Sequence, residues 1–148
     1  MITSPIRSSR TQKGRRKRGG AVLEMALLAP WVFFLFIGAL DWGFYSYALI
    51  SLQAAARTAA LYTSTNVVTS TDSATACTLV LGEMANVPNA GSDCSANPLV
   101  TATSVTGLDG QPASQVAVTF QSLAMIPIPG LLAKQFTITR VVRMRIRG

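Results

Sequence analysis

One apolar stretch, residues 21–40, constrains the fold of this chain more than any other feature. It carries a single charge, Glu24, over about 20 residues, the length of α-helix that crosses the roughly 30 Å hydrocarbon core of a bilayer. A lone segment in lipid satisfies its own backbone hydrogen bonds only as a helix. The sequence therefore predicts one membrane span, over about residues 21–41.

Basic residues crowd the chain before this stretch. The net charge is +7, and seven of the 13 Lys and Arg residues precede position 19: Arg7, Arg10, Lys13, Arg15, Arg16, Lys17 and Arg18. Basic residues beside a span mark its cytoplasmic side because they resist translocation. We expect residues 1–19 to form a cytoplasmic leader and the chain after the span to lie outside. The uneven charge favours this topology over nucleic-acid binding, so no nucleic-acid partner is expected.

The helix is predicted to run from Gly20 to about Thr63. Pro30 lies inside it and should kink it, because proline removes one backbone hydrogen bond. Trp42, Tyr45 and Tyr47 suit the outer membrane interface. Beyond them an apolar stripe at helical spacing needs a partner outside the membrane; its members are Leu49, Leu52, Ala56 and Ala60.

Residues 64–148 are predicted to form a β-rich domain. Residues 64–76 are interpreted as a linker, 77–84 as a short helix and 107–112 as a hairpin connection. Alternating apolar residues predict strands at 99–106, 115–121 and 135–147, and residues 124–134 are an irregular connection. The predicted fold class is α+β: a long kinked N-terminal helix with a small antiparallel sheet of about three strands packed on its outer half.

Cys77 and Cys94 are the only two cysteines, and both follow the span. An oxidising compartment favours a disulfide between them, whereas two unpaired buried thiols are the alternative. A zinc site is not expected, because the chain has no histidine to complete one. We predict a disulfide loop and neither metal nor cofactor.

The position of Glu24 needs an explanation, because placing a charged carboxylate within a membrane span costs free energy. It either reaches the cytoplasmic interface or is stabilised by the positive end of the helix dipole. A second interpretation is that cleavage between Gly19 and Gly20 makes Glu24 the fifth residue of the mature chain. There it can pair with the new α-amine of a neighbouring subunit, where either charge left alone in apolar surroundings costs several kcal/mol.

Residues 18–62 resemble the TadE-like family of minor pilins, or pseudopilins, of tight-adherence (Tad) pili. The resemblance rests on RGGAVLEMALLAP followed by GALDWGFYSYALISLQAAARTAA, with Glu24 five positions after Gly19, and on Pro30, Asp41 and Arg57 in order. It implies a bacterial inner-membrane protein that a prepilin peptidase cuts at the cytoplasmic face. Other pilins, minor pilins and membrane lipid are the implied partners, and pilus assembly for surface adhesion the implied function.

Two features depart from that family pattern. Met25 stands where major pilins of the family carry an aromatic residue, and the Gly19–Gly20 pair leaves the cut ambiguous by one residue. Asp41 and Arg57 are either solvated side chains or a helix contact between subunits.

Other function classes remain as alternatives to a pilin. One is an uncleaved, signal-anchored module that displays a binding domain, and another is a signal peptide cut after Gly38-Ala39-Leu40. An enzyme is not expected, because the chain has no histidine, no paired carboxylates and no nucleophile motif.

Overall fold

The structure, a computed structural model, describes residues 17–123 and 135–147. It contains α1 (Lys17–Thr63), a 3-10 turn (Thr69–Thr71), α2 (Ser73–Met84) and three strands: β1 (Leu99–Thr106), β2 (Pro112–Gln121) and β3 (Thr137–Arg145). Between Ala39 and Leu40 the chain divides into two units, which are described separately. α1 belongs to both, and Pro30 lies inside it without ending it. The predicted connection at 124–134 lies outside the described residues.

In the second unit, α1 presents a face of small side chains to the sheet. Leu52 and four alanines of this face are fully buried, and Ala48 is nearly so. Alanine keeps the helix axis close to its neighbour and costs no side-chain entropy in a helix. The predicted stripe is thus the core-facing side, with Leu49 partly buried at its margin; the buried alanines are Ala55, Ala56, Ala59 and Ala60.

The sheet is antiparallel in the order β1-β2-β3. Val116, Val118 and Phe120 alternate along the central strand and are fully buried against α1 and α2. The intervening positions, Ala117 and Thr119, face the other side of the sheet because successive strand residues alternate between faces. The predicted α+β class, with a long helix and a three-stranded antiparallel sheet, is confirmed.

Strand limits differ slightly from those predicted. β2 begins at Pro112 rather than at residue 115, because proline is tolerated as the first residue of a strand and its carbonyl accepts a hydrogen bond from the Ile146 N–H at 3.0 Å. The connection before it is a tight turn in which Gly107 N–H bonds the Gln111 carbonyl at 2.8 Å. Gly110 adopts a φ of 73°, which glycine accepts readily.

The interpretation of residues 64–76 as a linker was wrong in its second half. α2 begins at Ser73 because Asp72 caps it: the carboxylate accepts a hydrogen bond from the Thr75 N–H at 3.0 Å. Serine and threonine have modest helix propensity, so the sequence did not predict the start of the helix at Ser73. The capping aspartate is the signal that the sequence did carry.

Asp72 predicts acid-sensitive stability. Hydrogen bonds from Thr75, and a smaller contribution from the Tyr62 hydroxyl, lower its pKa below the ordinary 3.8. The folded state therefore favours the ionised form, so this stabilisation is present above the ordinary pKa and is lost as the pH falls through the lowered one. The melting temperature of Asp72→Asn should fall less than that of the wild type between about pH 5 and about pH 3. Equal slopes would contradict the capping role.

A buried polar cluster joins the end of α1 to the sheet. The Ser114 hydroxyl donates to the Thr63 hydroxyl at 2.7 Å, and Thr63 donates to the Ala60 carbonyl at 3.2 Å. Ser70 donates to the Val67 carbonyl at 2.6 Å, and all three side chains are fully buried. Each hydroxyl is satisfied, as buried polar groups must be. The cluster anchors the outer end of the helix on the central strand.

Candidate functional site

The first candidate site is the start of α1. Apolar side chains from Val22 to Phe36 are exposed, with Trp31 at 71% and Leu35 at 74%. In the described part of the chain, one helix is long and apolar enough to cross a membrane, Gly20–Thr63. An exposed apolar surface of this length needs lipid or other helices around it. This N-terminal helix is a candidate single-pass membrane anchor.

Glu24 lies on this exposed helix. Because α1 begins at Lys17, Glu24 is the eighth residue of the helix in the uncut chain. The helix dipole acts within the first turn, so it does not account for an acid two turns inside. After a cut at Gly19, the same residue would lie one turn from the new terminus.

Three glycines of α1 pack against no other part of residues 17–123 and 135–147. A Cβ added at Gly20, Gly38 or Gly43 would meet no atom within 4 Å. Glycine inside a helix costs roughly 1 kcal/mol relative to alanine, so a glycine that nothing in its own fold requires is unfavourable for the isolated chain. Close approach of another molecule is the physical use that remains for such positions.

Asp41 and Arg57 lie on the same helix but cannot meet within one chain. They are 16 positions apart, or about 24 Å along an α-helix. Asp41 is half-buried and Arg57 is exposed. Neither has an ion-pair partner within residues 17–123 and 135–147, where Arg145 and Asp109 form such a pair at 3.8 Å. A contact between Asp41 and Arg57 therefore requires two copies of the chain.

Arg57 lines a groove between the exposed flank of α1 and strand β3. The groove has a volume of about 580 Å³, and Arg140 contributes a second cation to it. Arg140 lies opposite Val118 of β2 and is therefore on the core-facing side of β3. Because β3 is at the edge of the sheet, the Arg140 side chain extends past the core into the groove. Apolar and small polar side chains complete the lining: Leu49, Ile50, Gln53, Ala54, Thr58 and Leu61.

Arg140 was not among the predicted site residues. The alternation of β3 places apolar residues on its inner face, and Arg140 is the exception to that pattern. Its side chain is tolerated there because β3 is an edge strand with an exposed inner margin. The break in alternation at Arg140 was the sequence signal for this residue. That Arg140 places a second cation beside Arg57 is visible only in the fold.

Cys77 and Cys94 form the disulfide expected from the sequence. Their Cα atoms are 5.9 Å apart, and the bond ties α2 to the turn-rich segment before β1. Asn97 holds the end of that segment, because its side chain accepts from the Gln121 N–H at 2.8 Å and donates to the Asn89 carbonyl at 2.8 Å. Within the described residues no three His, Cys, Asp or Glu side chains lie together as a metal site.

The comparisons with known proteins agree with the first of these features. A family model described as TadE-like protein matches residues 19–61, from the Gly19–Gly20 pair almost to the end of α1. No curated protein and no solved structure matches the chain. Residues 19–61, which contain the exposed apolar part of α1, are therefore similar to the TadE-like family.

Proposed function

We propose that this protein is a minor pilin that takes part in assembly of a Tad-type type IV pilus for surface adhesion and does no enzymatic chemistry. The observation that carries the proposal is the exposed apolar helix with Glu24 five positions after Gly19, inside the TadE-like match. The leader, residues 1–19, holds the N-terminus in the cytoplasm of a bacterium, and the chain crosses the inner membrane once. The domain from residue 64 onward lies outside the cytoplasm.

Processing by a prepilin peptidase is the first step of the proposed mechanism. The peptidase cuts the peptide bond after Gly19, and water adds across it to release the leader and leave a protonated α-amine on Gly20. Cutting after Gly20 instead would place Glu24 fourth rather than fifth. Gly20 suits a protease site because its surroundings are open and it has no side chain to obstruct the bond.

Assembly is the second step. Glu24 pairs with the α-amine of a neighbouring pilin as the apolar helix moves from lipid into a helical bundle. The pair is favoured because each charge left without a partner in apolar surroundings costs several kcal/mol. The open glycines Gly38 and Gly43 let a neighbouring helix approach the backbone closely, as small residues do where membrane helices associate.

A second contact joins Asp41 of one subunit to Arg57 of another. The two side chains are too far apart to meet in one chain and have opposite charge. Arg57 and Arg140 together make the groove on the flank of α1 attractive to an incoming carboxylate. A stagger of about 24 Å between neighbouring helices would bring the two residues to the same height.

Charge exchange tests this contact. Arg57→Asp and Asp41→Arg should each reduce the amount of protein incorporated into pili by roughly tenfold, because like charges then face each other. The double variant should recover most of the incorporation. Arg145→Asp is the matched control, since Arg145 is exposed and its ion-pair partner in the described part of the chain is Asp109. Single variants that assemble normally, or a double variant no better than the singles, would contradict the pairing.

The function itself is tested on surface pili. Cells expressing the chain should release it, with other pilins, into the fraction sheared from the surface, and should stop doing so when the prepilin peptidase is deleted. A chain that stays in the membrane fraction under both conditions would support the uncleaved, signal-anchored module instead.

A further inference from the structure

Four exposed apolar side chains meet at one end of the sheet. Trp42 and Phe44 come from α1, whereas Leu123 and Phe136 come from the ends of the chain segments next to β2 and β3. Their exposed fractions are 70%, 41%, 51% and 44% in that order. We call this surface the collar. Leu123 and Phe136 lie about 80 residues or more beyond Trp42, so only folding brings the four together.

Contacts join the collar residues in two groups, Trp42 with Phe136 through Tyr45, and Phe44 with Leu123. The Tyr45 ring lies edge-on to both Trp42 and Phe136, with ring centroids 5.8 and 5.7 Å apart. Phe44 and Leu123 line the same narrow apolar cleft. Such aromatic pairs are favourable beyond the area that they bury. Tyr45 is half-buried between Trp42 and Phe136.

The backbone fixes the sheet side of the collar. The Ser122 N–H donates to the Phe136 carbonyl at 2.9 Å, and the Phe136 N–H donates to the Ser122 hydroxyl at 3.3 Å. These bonds follow directly on the last sheet pair, Gln121 with Thr137. Phe136 is thus held at the sheet end, and Leu123 follows directly on the bonded Ser122.

The domain has opposite chemistry at its two ends. The far end of the sheet closes at the pair Thr106 with Pro112, about 25–30 Å away at the rise of a strand. There the Asp109–Arg145 ion pair and the neighbouring arginines face water. Charged side chains thus gather at the end far from the collar, where Leu108 is also exposed, and this distribution of charge favours the collar end as the one that meets the membrane.

We propose that the collar is a lipid-binding surface that enters the headgroup layer of the bilayer crossed by α1, so that the sheet end contacts the membrane. Lipid is the occupant because Trp42 follows the apolar stretch by two residues, which keeps the collar at the bilayer surface for as long as the helix is inserted. Aromatic rings settle at that depth. The proposal depends on the membrane anchoring in the proposed function, but not on processing or assembly.

Single-tryptophan fluorescence tests the collar in the full chain. The background is Trp31→Phe with Trp42→Phe, to which Leu123→Trp, Phe136→Trp or Leu108→Trp is added. Leu108 is the matched control because it is fully exposed in the turn at the far end of the sheet. Each protein is reconstituted in phosphatidylcholine vesicles, with or without bromine on the acyl chains near the headgroup. Trp42→Phe alone keeps Trp31 as a probe of the inserted helix, and because Trp31 lies near the middle of the predicted span this variant is measured in lipid brominated deep in the acyl chains.

The Leu123→Trp and Phe136→Trp variants should each lose about half of their emission in brominated vesicles, because an indole in the headgroup layer lies beside the quencher. The Leu108→Trp variant should lose almost none. Equal, negligible quenching of all three variants with Trp31 strongly quenched would overturn the collar and leave the anchor intact. Negligible quenching of Trp31 as well would overturn both the collar and the membrane anchoring.

Discussion

Cells that carry Glu24→Ala are expected to cut the leader normally and yet to place almost none of this protein in the sheared surface fraction. The scissile bond at Gly19 is five residues away, and alanine keeps the helix because it has the highest helix propensity. The peptidase therefore still meets an unchanged leader and an intact helix. Assembly fails because the new α-amine of a neighbouring subunit has no carboxylate to pair with.

The size of this effect follows from the surroundings of the charge. An unpaired ammonium group inside an apolar bundle costs several kcal/mol, and 1.4 kcal/mol is a tenfold change in an equilibrium. Incorporation should therefore fall by roughly a hundredfold or more. The apolar helix itself remains unchanged, so the protein should accumulate in the membrane fraction.

Two matched variants complete that experiment. Glu24→Gln keeps the shape of the side chain and removes its charge, and it should fail like the alanine variant. Glu83→Ala removes an exposed acid of α2 that accepts one long hydrogen bond from Thr58, and it should assemble normally. Normal incorporation of Glu24→Gln would show that charge pairing is not the role of Glu24. An uncut Glu24→Ala chain would place the role in processing.

The second large effect is expected from loss of the disulfide. The double variant Cys77→Ser with Cys94→Ser should lose about 3 kcal/mol of unfolding free energy, because the bond closes a loop of about 18 residues in the unfolded chain. The domain depends on this bond because its helix contributes mainly alanines to the core, and each buries little apolar surface. In cells the variant should accumulate at a much lower level.

Urea unfolding of the full chain in detergent measures this loss, followed by the fluorescence of Trp42 in a background in which Trp31 is replaced by Phe. The wild type unfolded with and without a reductant is the internal control, and the reduced wild type should match the double variant. The single variants should be no more stable than the double variant, because each leaves a free thiol. Equal unfolding midpoints for oxidised wild type and double variant would contradict this stabilising role.

Much of the fold could be predicted because its signals are local. The length of the apolar stretch indicates a membrane helix, and the alternation of residues 115–121 and 135–147, broken only at Arg140, indicates half-buried strands. The start of α2 was missed because hydrogen bonds of Asp72 and Thr75 decide it, against weak propensities of the surrounding serines and threonines.

The candidate sites likewise divide into those that the sequence predicts and those that only the fold shows. Glu24 and the glycine pair are recognisable in the sequence because they lie close together on one extended or helical segment, where another protein would bind them directly. The groove beside Arg57 and the collar were not predictable. Each depends on residues far apart in the chain, Arg140 beside Arg57 and Phe136 beside Tyr45, that meet only when the sheet packs on the helix. The periodicity of apolar residues shows which face of a helix or strand is buried, but it does not show which side chains from other elements lie at the edge of that face.

The most direct test of the proposed pilin function is the N-terminal mass of the protein purified from the membranes of cells that assemble pili. The account predicts a mature chain that begins at Gly20, with the leader absent; a start at Ala21 would move the cut by one residue and keep the mechanism. A chain that still begins at Met1 would contradict processing and leave a membrane-anchored binding module. A chain that begins beyond Ala39 would mean that the apolar stretch is a removed signal peptide.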